Sequence, residues 1–141
     1  MPVGLDGVGK LVLIPFHAKT STPIPAFEVD VTNRKSHLGT FSIVFPINGR
    51  MDDVTVSPRA NELAWLLYVQ GRTAAGSDDS VEVWLSAVNG KDVRRIGSVP
   101  VKRPPSHYEV GEDFPHELRW SPDGGHLAFL YRNELRVLSV K

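Results

Sequence analysis

Close to the start of the chain, Gly4-Leu-Asp-Gly-Val-Gly9-Lys10 matches the opening of the phosphate-cradling loop, Gly-x4-Gly-Lys. That loop works because glycine amides surround a phosphate at a helix N-terminus while the next residue, a hydroxyl, binds Mg²⁺. Here Leu11 stands at the hydroxyl position, only Pro2 to Leu5 precedes as strand, and an apolar run containing Pro15 follows where the helix should begin. A glycine-rich turn between two strands accounts for the same residues, so nucleotide binding is not expected. His17, His37, His107, His116 and His126 show no i, i+2 or i, i+4 pairing and no His-Glu-x-x-His, the spacings that put two imidazoles on one metal. Cysteine is absent, which removes disulfides, thiolate metal sites and a thiol nucleophile. No Gly-x-Ser-x-Gly elbow occurs to present a serine nucleophile. Asp78-Asp79 and Glu112-Asp113 lack the spacing of a calcium loop and read as solvated loop charges. No catalytic residue, metal or cofactor is expected.

Two residue classes remain that could bind rather than react. Trp65, Trp84 and Trp120 would suit stacking against a sugar, but on alternating strands they read as filling between sheets. Arg94-Arg95, beside Lys91 and Lys102-Arg103, forms the only basic cluster and has no interleaved aromatics, which makes it a poor platform for nucleic acid. Sixteen basic and sixteen acidic residues cancel across the 141 positions, so no net field draws in nucleic acid or an anionic membrane. No apolar stretch approaches the ~20 residues of a membrane-spanning helix, and no basic residue precedes the first apolar run as in a secretory signal. A soluble, cytoplasmic protein is the default expectation.

The elements that must position these residues are strands. Apolar residues alternate with period two along most of the chain, and glycine or proline punctuates it about every ten residues, as in all-β folds. The runs are Leu11 to Phe16, Phe27 to Val31, Thr40 to Phe45, Val54 to Ser57, Leu63 to Val69, Val81 to Val88, Val93 to Val99, Glu117 to Trp120, Leu127 to Tyr131 and Leu135 to Val140. A short opening strand, Pro2 to Leu5, precedes them. Two stretches repeat: SPRANELAWL at 57–66 and SPDGGHLAFL at 121–130. Around them the chain divides into units of strand, turn, apolar strand, loop, strand, turn, strand, at about 1–50, 51–100 and 101–141, and the last unit lacks a fourth strand. The second strand of a unit is apolar on both sides: Leu63, Trp65, Leu67 and Val69 against Ala64, Leu66 and Tyr68, and Leu127, Phe129 and Tyr131 against Ala128 and Leu130. Such a strand belongs between two neighbouring sheets. The third strand is more one-sided: in the first unit Phe27, Val29 and Val31 oppose Glu28 and Asp30, which suits a position nearer the rim.

The Ser-Pro-Asp-Gly turn followed by HLAFLYR and ELRVLSV resembles the repeat of TolB-like, WD-repeat-like β-propellers. The likeness is good over 52–141 and weaker over the first 50 residues. It departs at Arg59-Ala60, which replace Asp-Gly in the middle unit. It implies an all-β chain of three four-stranded propeller-type blades, a partial propeller completed by oligomerisation or further blades, because closed propellers have about four to eight. An up-and-down barrel of ten strands is the competing arrangement.

The long connections 19–26, 71–80 and 100–115 belong to one end of such a stack, so that face is expected to bind a partner. His107, Tyr108, Glu109, Asp78 and Asp79 are the candidate contact residues, with Tyr108 as the aromatic anchor. The expected role is a non-catalytic scaffold for a protein partner, without nucleic acid or membrane. The resemblance also admits the substrate-gating propeller of a prolyl-oligopeptidase-type serine peptidase, or a glycan-binding propeller.

Overall fold

The computed structural model describes residues 2–5, 11–15, 18–29, 38–58, 62–73, 78–103 and 114–140. Among them the chain is all-β, in three antiparallel sheets of four, four and three strands. Sheet I contains β1 (Pro2–Leu5), β2 (Leu11–Leu13), β3 (Ile24–Val29) and β4 (Leu38–Ile43). Sheet II contains β5 (Gly49–Val56), β6 (Glu62–Val69), β7 (Ser80–Ala87) and β8 (Arg94–Pro100). Sheet III contains β9 (His116–Trp120), β10 (His126–Tyr131) and β11 (Glu134–Ser139). Each sheet is a meander in chain order, and among the described residues one isolated bridge, Lys19 to Arg50, but no ladder joins one sheet to the next, and no closed barrel or propeller is formed. The first strands lie side by side, β1 against β5 and β5 against β9.

Sheet II is covered on both faces because its second strand is apolar on both. Leu63, Trp65 and Leu67 of β6 pack with Trp84, Val54 and Met51 against Val12, Ile14, Ile24, Ala26 and Ile43 of the sheet I region. Ala64, Leu66, Val81, Val83 and Leu85 pack instead against Leu118, Leu127, Phe129 and Tyr131 of sheet III. Two glycines permit the close approach. Gly90 (φ 85°), in the β7–β8 turn, has the backbone carbonyl of Ser42 where a Cβ would stand. At Gly97 a Cβ would come within 3.1 Å of Leu138. Polar bonds also cross the junctions. The amide of Met51 donates to Ala18 O (2.8 Å) and that of Thr20 to Gly49 O (2.9 Å) between I and II. Between II and III, Leu118 N donates to Asp53 Oδ2 (2.9 Å) and Trp120 Nε1 to Thr55 O (3.2 Å).

One turn hydrogen bond recurs at the two Ser-Pro stretches. Ser57 N donates to Glu62 O (2.8 Å) and, 64 positions on, Ser121 N donates to His126 O (2.9 Å). In the second copy Asp123 Oδ1 accepts from Ser121 Oγ (2.5 Å) and Gly125 N (2.9 Å), and Gly124 takes φ 70°. This is the side-chain-supported tight turn that Asp and Gly make with little strain.

Two strand readings need correction. In β3 the fully buried side is Ile24 and Ala26, while Phe27 and Val29 on the other face are only half-buried. The reason is position: sheet II lies on the Ile24 side, and among the described residues no sheet lies on the other. β5 begins at Gly49 rather than Val54. Its early residues Arg50, Asp52 and Asp53 are polar because they bond across the start of the strand: Arg50 Nε to Asp52 Oδ1 at 3.1 Å, and Asp53 to Leu118 N.

Candidate functional site

Described residues of two long connections, 71–80 and 100–115, meet in a polar cluster beside β6 and β7, whereas in 19–26 Thr20 bonds to Ile47 and Gly49 and Ile24 already begins β3. Asp79 is 1 % exposed, just before β7. Its carboxylate accepts two bonds from Arg103, Nε to Oδ2 and Nη2 to Oδ1, each at 2.9 Å. It also accepts from Gly71 N at 2.8 Å and from the Tyr68 hydroxyl, which reaches it from the end of β6. The Arg103 bonds are the main reason its carboxyl titrates below the ordinary range, with burial opposing them. Burial, reinforced by the hydrogen bond to Asp79, pushes the Tyr68 hydroxyl up to about 12. Next door, exposed Asp78 accepts from Thr73 Oγ1 (2.6 Å), Thr73 N (3.1 Å) and Arg72 N (2.8 Å), which together lower it to about 2.

The candidate contact residues therefore separate. Asp78 is at the surface, although its oxygens are engaged by the loop itself. Asp79 is covered and ties the 71–79 connection to Arg103, so it organises this face from within. His107, Tyr108 and Glu109 lie outside the described residues. The Arg94-Arg95 cluster is also partnered, Arg94 with Glu62 at 3.3 Å and Arg95 with the buried carboxylate of Glu82 at 3.2 Å. Trp65 and Trp84 are core residues and Trp120 is half-buried. β1 and β2 run antiparallel on either side of the Gly9-Lys10 motif, so a strand stands where a phosphate loop needs a helix. Among the described residues, no three His, Asp or Glu side chains gather as metal ligands. The end is not uniformly built of long loops, since Arg132-Asn133 alone joins β10 to β11 and 44–48 joins β4 to β5.

Tyr68 gives this cluster a pH signature. A native pKa raised above the unfolded value of ~10 means the unfolded chain ionises first, so stability is complete below ~10 and declines as pH rises toward the native value. Chemical denaturation at about pH 9 and about pH 11 should show wild type losing more stability over this interval than Tyr68→Phe. Equal losses would show that the hydroxyl is not held against Asp79.

The other candidate surface lies on the outward sides of the two terminal sheets. Residues 64 positions apart face the same way: Leu63, Trp65 and Leu67 of sheet II face sheet I, and Leu127, Phe129 and Tyr131 of sheet III face sheet II. Leu11, Leu13, Phe27 and Val29, joined across β2 and β3 as partners, lie on the side of sheet I turned away from sheet II. They are half-buried. On sheet III the side turned away from sheet II carries half-buried Ala128 and Leu130, with their cross-strand partners Val137 (57 % exposed) and Leu135 (66 %). Among the described residues, no sheet covers either of these apolar faces. Comparison of this chain with protein-family models, curated proteins and solved structures finds no match.

Proposed function

We infer that the chain is a set of propeller-type blades acting as a non-catalytic scaffold, completed by assembly with a second copy of itself. One observation carries this reading: the open face of sheet I is the side that sheets II and III each turn toward their predecessor, and the open face of sheet III is the side that sheets I and II turn toward their successor. The chain joins such faces twice within itself, so head-to-tail addition of a copy repeats an interface already present. Two copies close under a two-fold axis as six sheets. Strands ~4.8 Å apart with about five residues at ~3.3 Å give roughly 300 Å² for four-stranded sheet I and roughly 240 Å² for three-stranded sheet III, hence roughly 1,100 Å² over two junctions, just above the ~1,000 Å² that a specific interface needs. The polar loop cluster at 71–79 and 101–103 then recurs around one rim of the ring, where it presents the scaffold to a protein partner.

Sedimentation equilibrium of the intact chain tests this. A dimer at micromolar concentration is expected, and Leu135→Glu should weaken it about tenfold or more by placing a charge in the junction. Val137→Lys provides a second reading of the same face. A folded wild-type monomer throughout a wide dilution series would reject the assembly, as would a dimer unaffected by both substitutions.

A further inference from the structure

Among the described residues, β11 is an unpaired sheet edge. It pairs with β10 in unbroken register from Leu135 to Ser139, with no bulge, proline or lysine to blunt it. β8, the edge of sheet II, carries Arg94, Arg95 and Pro100 and faces a bulged partner. The turn between β10 and β11 is the two-residue Arg132-Asn133, both at positive φ (50° and 61°), the geometry of a tight hairpin. In such a hairpin the pair flanking the turn, Tyr131 and Glu134, exchanges hydrogen bonds. Glu134, Arg136 and Leu138 then bond inward to β10, as Val140 N does to Gly125 O at 3.0 Å. By the same alternation Leu135, Val137 and Ser139 direct their amides and carbonyls to the open edge.

Beside this edge a groove of about 670 Å³ separates β8 from β10 and β11. Its walls include Val99 and Leu138, and three cations: Lys102, Arg132 and Arg136. Among the described residues, no acidic residue lines it. Arg136 meets Glu134 at 2.8 Å just outside, in a pair whose members are both more than half exposed, so the bridge is easily exchanged. Arg132 lies over the Tyr131 ring at 5.1 Å.

The geometry points to β-strand addition at β11: the site takes an extended acidic-apolar peptide segment of another protein as the fourth strand of sheet III. Antiparallel to β11, its backbone pairs with Leu135, Val137 and Ser139. Its side chains alternate accordingly. Those beside Leu135 and Val137 are apolar and extend the open face. Those on the groove side are a carboxylate opposite Arg136, within reach of Arg132 and Lys102, and an aliphatic residue opposite Leu138. Main-chain bonds supply affinity and the carboxylate supplies selectivity. This site is on the rim rather than on the stacking face, so its fate is separate from that of the dimer.

A labelled peptide, Thr-Leu-Val-Glu-Ile-Thr, titrated by fluorescence polarisation into the intact chain, tests it. Saturable binding is expected, with a dissociation constant on the order of 10–100 μM. Methylating the peptide amides that pair with β11 should weaken binding about tenfold or more. Replacing the peptide Glu with Lys should also weaken it about tenfold, and the Arg136→Glu chain should recover that Lys peptide while losing the Glu peptide. Binding that ignores methylation would reduce the interaction to apolar adhesion and reject strand addition. Failure of the charge swap would remove the carboxylate from the proposal. Absence of saturation by a folded chain would reject the site.

Discussion

Trp65→Ala is expected to cost about 3–5 kcal/mol, a large part of the ~5–15 kcal/mol that holds a typical domain together. Trp65 is fully buried at the centre of the junction between sheets I and II. Its cross-strand partner on β7 is Trp84, and the Phe45 ring meets both indoles edge-on, at 5.2 and 5.7 Å between centroids. Truncation would leave a cavity walled by two rigid aromatics, which cannot collapse into it. It would also strand the Ser86 hydroxyl, fully buried and 2.9 Å from Trp65 Nε1. Trp120, half-buried with its Nε1 on Thr55 O, should cost about 1–2 kcal/mol on truncation, since water replaces part of what it touches. Guanidinium denaturation at fixed chain concentration separates the two. A cost below about 1 kcal/mol for Trp65→Ala would mean that sheets I and II do not meet there.

Asp79→Ala is the second large effect, about 2–3 kcal/mol. Removing the carboxylate takes the acceptor from Gly71 N, from the Tyr68 hydroxyl and from both Arg103 donors together. The carboxylate is covered, but Arg103 keeps 26 % of its side chain in contact with solvent. It can be rehydrated, which holds the cost below that of a wholly buried ion pair. The pH dependence has a fixed sign. A carboxyl whose native pKa lies below its unfolded value stabilises the fold above that unfolded value, and the contribution is lost as pH falls through the native pKa. Acid titration of stability should thus be shallower in Asp79→Asn than in wild type. Asp78→Asn, at the exposed neighbour, should leave the denaturation midpoint near neutral pH almost unchanged. Equal sensitivity at the two positions would contradict the burial that distinguishes them.

The strands were legible where a residue's type answers to one neighbour. β6 reads correctly from its letters because both of its faces are apolar, and both are covered. The Ser121-Pro-Asp-Gly turn is similarly self-contained, its hydrogen bonds spanning five residues at most. β3 misleads because Phe27 and Val29 look like core, while which face is covered depends on a sheet elsewhere in the chain. The start of β5 misleads because Asp53 is polar in order to meet Leu118, 65 positions away. For the same reason Asp79 and Arg103 could be located as charged loop residues but not as partners, being 24 positions apart. Sequence pattern records a residue's own solubility, and these cases turn on what the fold sets beside it.

Because every ladder joins strands that are neighbours in the chain, the order in which this fold forms is constrained. Each meander can zip along connections of ten residues or fewer between successive strands, whose closure entropy grows only slowly with length, without awaiting any distant segment. Docking of sheets then comes as a separate event, and the junctions formed in it, side-chain packing with a few backbone bonds, are the ones free to open afterwards without unravelling a ladder. Amide hydrogen exchange should carry that history: slowest in β6 and β7, which open only when both neighbours leave, and fastest along β11, whose outward amides need no opening at all.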